Sequence, residues 1–223
     1  FLKKEQPDIV CLQEVFQRDL PSLGKKLGMT RVYANMGQYC VDSEKGCLDL
    51  GVGILSKFPL EDVRRAYYSG DEASVGQVRI EGPNDAQGYY HVFVWGNVRK
   101  GDVEFPIGTT HFTWTPDGET DDVQREHLQG LLEILKDIPE IVFCGDFNAP
   151  RGKEVFDVLA KRYKDNIPAS YTTSIDKNLH KAGDLQLMVD GLFSTPSYVI
   201  QSAKLVEGVS DHMAIVAEVQ SNM

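Results

Sequence analysis

Several polar side chains in this chain sit where apolar runs end, and together they suit one kind of chemistry. Glu14 follows Ile9-Val10-Cys11-Leu12-Gln13, and His111 closes Gly108-Thr109-Thr110. Asp146 and Asn148 follow Ile141-Val142-Phe143-Cys144-Gly145, Asp190 closes Leu187-Met188-Val189, and Ser210-Asp211-His212 opens a last apolar stretch. Strand ends on a rigid sheet hold groups in fixed geometry. Carboxylate and amide oxygens are hard ligands, suited to Mg²⁺ or Mn²⁺ rather than Zn²⁺. Such an ion polarises a phosphorus centre and stabilises a leaving oxygen. A histidine beside a carboxylate is held in one tautomer and made more basic, and the Asn148 amide can orient a water or a phosphate oxygen.

Each residue alone has a plainer reading. Glu14 could be a polar strand terminus and His111 a satisfied sheet-end histidine. Asp146 and Asn148 beside Gly145 could form a turn. Asp190-Gly191 could be a hairpin turn, although Leu192-Phe193 continues directly. Ser210-Asp211-His212 could cap a helix, although a strand-like run follows. His91, His127 and His180 have no comparable setting and read as structural or surface residues. Trp114, just after His111, could stack on a base or a sugar; a loop anchor is the preferred reading.

The set gains meaning from its order, and here the chain resembles the endonuclease/exonuclease/phosphatase superfamily, which includes DNase I-like nucleases. The resemblance spans nearly the whole chain. Pro7-Asp8-Ile9-Val10-Cys11-Leu12-Gln13-Glu14 is similar to the family's strand ending in a metal-binding glutamate, and 51–59 (GVGILSKFP) to its next recurrent strand. Thr110-His111-Phe112 resembles its active-site histidine segment, Gly145-Asp146-Phe147-Asn148 its G-D-x-N motif, Asp190 its late strand acid and Ser210-Asp211-His212 its S-D-H motif. The resemblance implies that Glu14, Asp146, Asn148 and Asp211 serve the metal. Asp146 and Asn148 would also position the attacking water and a phosphate oxygen. His111 would bind the phosphate, and Asp190 would orient His212. His212 and Asp146 stand as alternatives for the general base. One departure is that the family begins with a strand carrying a metal-binding asparagine, and residues 1–223 start after that strand would end. The expectation is a single domain, incomplete at its N-terminus.

Elements must bring these residues together. Apolar runs predict strands at 9–12, 31–35, 51–56, 63–68, 75–80, 89–94, 103–110, 141–144, 187–194, 199–206 and 212–219, with 187–194 paired to 199–206. Residues 36–50 read as a polar loop and 163–185 as loop-rich. Leu128, Leu131, Leu132 and Leu135 recur at helical spacing, which predicts a helix over 123–136. Further helices are expected at 19–27 and 153–162, with 1–6 finishing another. Strands outnumber helices and helices do not follow every strand, which favours an α/β fold with two packed mixed sheets flanked by helices, a four-layer sandwich whose first strand is missing.

Composition narrows the partners. Lys and Arg total 23 against 33 Asp and Glu, a net charge of −10, so nonspecific duplex binding through basic patches is disfavoured. No apolar stretch approaches the ~20 residues of a membrane span. Cys40 and Cys47 flank a polar segment and could pair in an oxidising compartment; a reduced, cytoplasmic monomer is the preferred expectation. The chain therefore reads as a Mg²⁺-dependent (Mn²⁺ possible) hydrolase of phosphoester substrates, nucleic acid among them. The alternative is an inactive binding module of the same fold.

Overall fold

The computed structural model describes residues 1–40, 46–80 and 89–222. A short helix α1 (Leu2–Glu5) leads into strand β1 (Ile9–Phe16), helix α2 (Leu20–Leu27), β2 (Thr30–Tyr39) and β3 (Leu48–Ser56). Next come β4 (Leu60–Ser69), β5 (Arg79–Ile80), β6 (His91–Lys100) and β7 (Val103–His111), then α3 (Asp122–Lys136), β8 (Val142–Asp146) and α4 (Glu154–Arg162). The chain finishes with β9 (Lys164–Asp165), β10 (Asp190–Ser194), β11 (Tyr198–Val206) and β12 (Ala214–Ser221). The strands form a four-stranded sheet ordered β1-β3-β2-β5, a six-stranded sheet ordered β4-β6-β7-β8-β10-β9, and the pair β11-β12.

Alternation along the strands explains the layering. Successive residues of a strand point to opposite faces. On β6, Val92 and Val94 pack with Val52 and Ile54 of β3, filling the space between the sheets. Phe93 and its neighbour Trp95 point the other way, into a cluster with Leu128, Leu131 and Leu135 of α3 and Val155, Phe156 and Leu159 of α4. On β1, Val10 turns outward to Leu20 and Met29 beside α2, while Ile9 and Cys11 turn inward toward Val142 and Leu192. The order is helix, sheet, sheet, helices, as expected from the sequence. Asp121 caps α3 by accepting from the Gln124 N–H, which satisfies one of the orphan donors of the first turn.

Several local expectations are corrected. Strands β2 and β3 reach well into 36–50, leaving only a short connection, of which 41–45 lie outside the described residues. Residues 75–80 are not one strand: Val75–Gln77 is a 3₁₀ turn ahead of the two-residue β5. β10 does not pair with β11. It lies between β8 and β9, while β11 pairs with β12. All five β10 residues are buried, so it is a central strand covered on both faces. Cys40 and Cys47 form a disulfide joining the end of β2 to the start of β3. That bridge weighs against the reduced, cytoplasmic setting, because disulfides persist in oxidising compartments. No helix among the described residues is long and apolar enough to cross a membrane.

Candidate active site

The site lies where β7, β8 and β10 end side by side. β7 and β8 are parallel, with His111 opposite Asp146. β8 and β10 are antiparallel, with Asp146 opposite Asp190. Two ladder registers therefore set one histidine and two acids abreast. Gly145 is required by this packing, since a Cβ there would collide with the Thr110 carbonyl. Asn148, just past β8, takes φ of 49°, a left-handed conformation that Asn tolerates better than most residues. Its N–H donates to Asp146 Oδ1 at 2.7 Å. Its side-chain nitrogen donates to the Phe112 carbonyl at 2.8 Å and lies 3.1 Å from His111 Nε2. The amide nitrogen is thereby committed to protein, and Oδ1 is the atom left to meet a ligand.

Glu14 arrives from the other sheet. The pairing of β1 with β3 slips between Leu12 and Val15, and Glu14 sits on this bulge with φ of 50°. Bulges re-aim side chains at sheet ends. Its Oε1 lies 3.9 Å from His111 Nε2, and Asp146 Oδ2 lies 3.6 Å from the same nitrogen. Gln13 on the same bulge donates to Thr109 Oγ1 at 2.7 Å, tying β1 to β7.

His212 is brought in by the segment before β12. Its Nδ1 lies 2.7 Å from Asp190 Oδ2, and its Nε2 lies 4.0 Å from Asp146 Oδ2. Burial disfavours the charged ring, yet Asp190, through charge and hydrogen bond, and then Asp146 and Asp211 outweigh it and push His212 up to about 10. Burial also lifts the Asp146 carboxyl to about 6; Asp190 adds to the rise, and His212, His111 and the Asn148 N–H oppose it. The centre thus holds buried negative charge that asks for a cation or a proton.

The structure gathers most of the residues singled out from the sequence. Asp146, Asp190 and His212 present ligand-capable atoms within 4.8 Å of one another. His111 and Asn148 adjoin them, and Glu14 reaches the group through His111. Asp211 is displaced to the exposed rim, where it groups with His180 and His212 within the same 4.8 Å. His180, read from the sequence as a structural or surface residue, thus lies beside the site. Trp114 stands 42% exposed, so it is not the loop anchor expected.

Supporting residues went unseen in the sequence. Ser174 Oγ accepts the N–H groups of both Val189 and Asp190 at 3.1 Å, fixing the start of β10. Gln124 donates to the Thr113 carbonyl at 2.7 Å, locking α3 to the segment after His111. A signal for Gln124 existed: it shares the buried face of α3 with Leu128, Leu131 and Leu135. Tyr68 stacks on His91, whose Nδ1 sits 2.9 Å from the His111 carbonyl. Burial drives His91 down to about 3, so it is a neutral structural ring.

Comparison with known proteins agrees with this fold. The model of the endonuclease/exonuclease/phosphatase family matches residues 1–212, and the chain belongs to that family. An endonuclease/exonuclease/phosphatase from Bacteroides vulgatus superposes with a TM-score of 0.71 at 17% identity, over 100% of this chain and 88% of its own. A mannosyl-6-phosphatase from Bacteroides thetaiotaomicron gives a TM-score of 0.67 at 16% identity, over 98% of this chain and 87% of its own. D. rerio TDP2 complexed with a single-strand DNA product gives 0.68 at 14% identity, over 99% of this chain and 88% of its own. No curated protein sequence matches the chain.

Proposed function

We propose that this chain hydrolyses phosphoester bonds with a water molecule, assisted by a divalent cation for which Mg²⁺ is the first choice and Mn²⁺ a substitute. The observation that carries the reading is the Asp146–Asp190–His212 cluster beside His111 and Asn148. Family membership and neighbours named for a phosphatase and a DNA-product complex support the same reaction class. A hard cation fits the donors present, because Asp146 is buried with no Lys or Arg bonded to it among the described residues. Glu14, Asp146, Asn148 and Asp211 are the residues assigned to hold it. When bound, it would supply charge neutralisation and Lewis-acid polarisation at phosphorus.

The chain's own groups divide the remaining work. Asn148 Oδ1 is free to accept from a water, and Asp146 beside it accepts the water's proton. Between the two candidate bases, Asp146 at about 6 is ionised at neutral pH, whereas His212 at about 10 is already protonated. His212 is accordingly a cationic contact for the phosphate, held by Asp190. His111 contacts the phosphate from the β7 side. The inactive-module reading finds no support, since Glu14, His111, Asp146, Asp190, Asp211 and His212 are all present in the chain.

A substrate panel tests the proposal: a phosphosugar, a short single-stranded oligonucleotide, a phospholipid and bis-p-nitrophenyl phosphate, each with Mg²⁺, Mn²⁺ or EDTA. Hydrolysis of at least one, restored by Mg²⁺ after chelation and lost in His212→Ala, is expected. Hydrolysis that survives EDTA, or no hydrolysis of any member, rejects it.

A further inference from the structure

His180 lies beside the site, and neither the motifs nor the proposed mechanism uses it. Its ring stands edge-on to His212 with centroids 6.2 Å apart, and it groups with Asp211 and His212 within 4.8 Å. This placement is built. Asp176, fully buried, anchors the segment that carries it. The Asp176 N–H donates to the Asp211 carbonyl at 2.8 Å, and its carboxylate accepts from the Gly208 N–H at 2.6 Å and the Asn178 N–H at 2.9 Å. Its carbonyl accepts the His180 N–H at 2.8 Å. Ile175 bridges to His212, and the Met213 N–H donates to the Ser174 carbonyl at 2.7 Å. The 174–180 segment is thus stitched to the backbone on both sides of His212.

The ring's own bonding decides what it offers. His180 Nδ1 accepts the Ala182 N–H at 3.1 Å. A ring nitrogen that accepts carries the lone pair, so in the neutral imidazole the proton sits on Nε2. An Nε2–H is a donor and not a metal ligand, which separates His180 from the acids around it. It adds a donor beside His111 and His212, since the Asn148 nitrogen is committed and Glu14, Asp146, Asp190 and Asp211 offer only acceptors.

We infer that His180 is a third phosphate-contacting histidine, whose Nε2–H donates to a non-bridging oxygen of the bound phosphoester from the Asp211–His212 side. This rests on the phosphoester reading above and names a substrate contact within it.

Inorganic phosphate is the probe. With Mg²⁺ present, the rise in Tm that phosphate gives the full chain is measured for wild type, His180→Ala and His180→Gln, alongside the phosphate inhibition constant with bis-p-nitrophenyl phosphate. A lost hydrogen bond to a charged group weakens binding by roughly tenfold or more. His180→Ala should therefore raise the phosphate constant and KM about tenfold, with its Tm in the absence of phosphate unchanged. His180→Gln, which keeps an N–H donor, should recover most of the affinity. Unchanged phosphate affinity in His180→Ala overturns the inference, as does a glutamine variant as weak as alanine. A raised Mg²⁺ requirement with normal phosphate affinity also overturns it, in favour of a metal ligand. If phosphate fails to raise the Tm of wild type and no member of the substrate panel is hydrolysed, the phosphoester reading itself has failed.

Discussion

The two large sheets supply the site in opposite ways. From the six-stranded sheet come His111, Asp146 and Asp190, which are 7%, 9% and 6% exposed and locked abreast by ladder register. From the four-stranded sheet comes Glu14, whose side chain is 63% exposed on a strained bulge. Burial couples this half to His212: the Asp190 charge raises the pKa values of both Asp146 and His212. Glu14 can reach a ligand without carrying the stability of the sheet. The site therefore pairs a rigid reactive half with an adaptable one, and substitutions in the two halves should separate activity from stability differently.

The sharpest break is Asp146→Ala. It removes the proposed proton acceptor and should lower kcat roughly 10²- to 10⁴-fold, the range for losing a general base. Asp190→Asn keeps the shape and removes the charge that holds His212. A loss of roughly 10- to 100-fold in kcat is expected, as for groups that orient a reacting residue. The same pair predicts a pH effect in chelator. His212 has its folded pKa raised from 6.5 to about 10, so its stabilisation is full below about pH 6.5 and is lost as pH rises toward 10. Thermal melts should fall across that window, and His212→Gln should flatten the fall; an equally steep fall in the variant would remove His212 as the cause. The smallest effect on folding belongs to Glu14→Gly. Relief of a left-handed glutamate, worth about 1 kcal/mol, offsets the greater freedom of unfolded glycine, also about 1 kcal/mol. The variant should melt within a few degrees of wild type yet need more Mg²⁺ for half-maximal activity; a large drop in Tm would show that Glu14 belongs to the rigid half.

Much of this was legible in the sequence, for local reasons. The α3 leucines and the α4 pattern give helices directly, and His111 and Asp146 close β7 and β8 as expected, whereas Glu14 lies inside β1 and Asp190 opens β10 rather than closing a strand. What escaped depends on partners distant in the chain. The Glu14 bulge is a count of β1 against β3, invisible in β1 alone. The pairing of 187–194 with 199–206 failed because neighbouring strands need not pair, and β10 instead completes a sheet begun at β4. His180 looked idle because its position is fixed by Asp176 bonding to Gly208 and Asp211, more than thirty residues away. Ser174 gave no signal at all, being one hydroxyl in a loop-rich segment.

The most direct measurement compares Mg²⁺-dependent phosphoester hydrolysis by wild type and Asp146→Ala at equal folded concentration, across a Mg²⁺ titration that begins in EDTA. Wild-type activity should be absent in EDTA and saturate with Mg²⁺, while Asp146→Ala stays inactive at every concentration. Wild-type hydrolysis in EDTA, or an alanine variant within about threefold of wild type where the general-base range is 10² or more, would contradict the account.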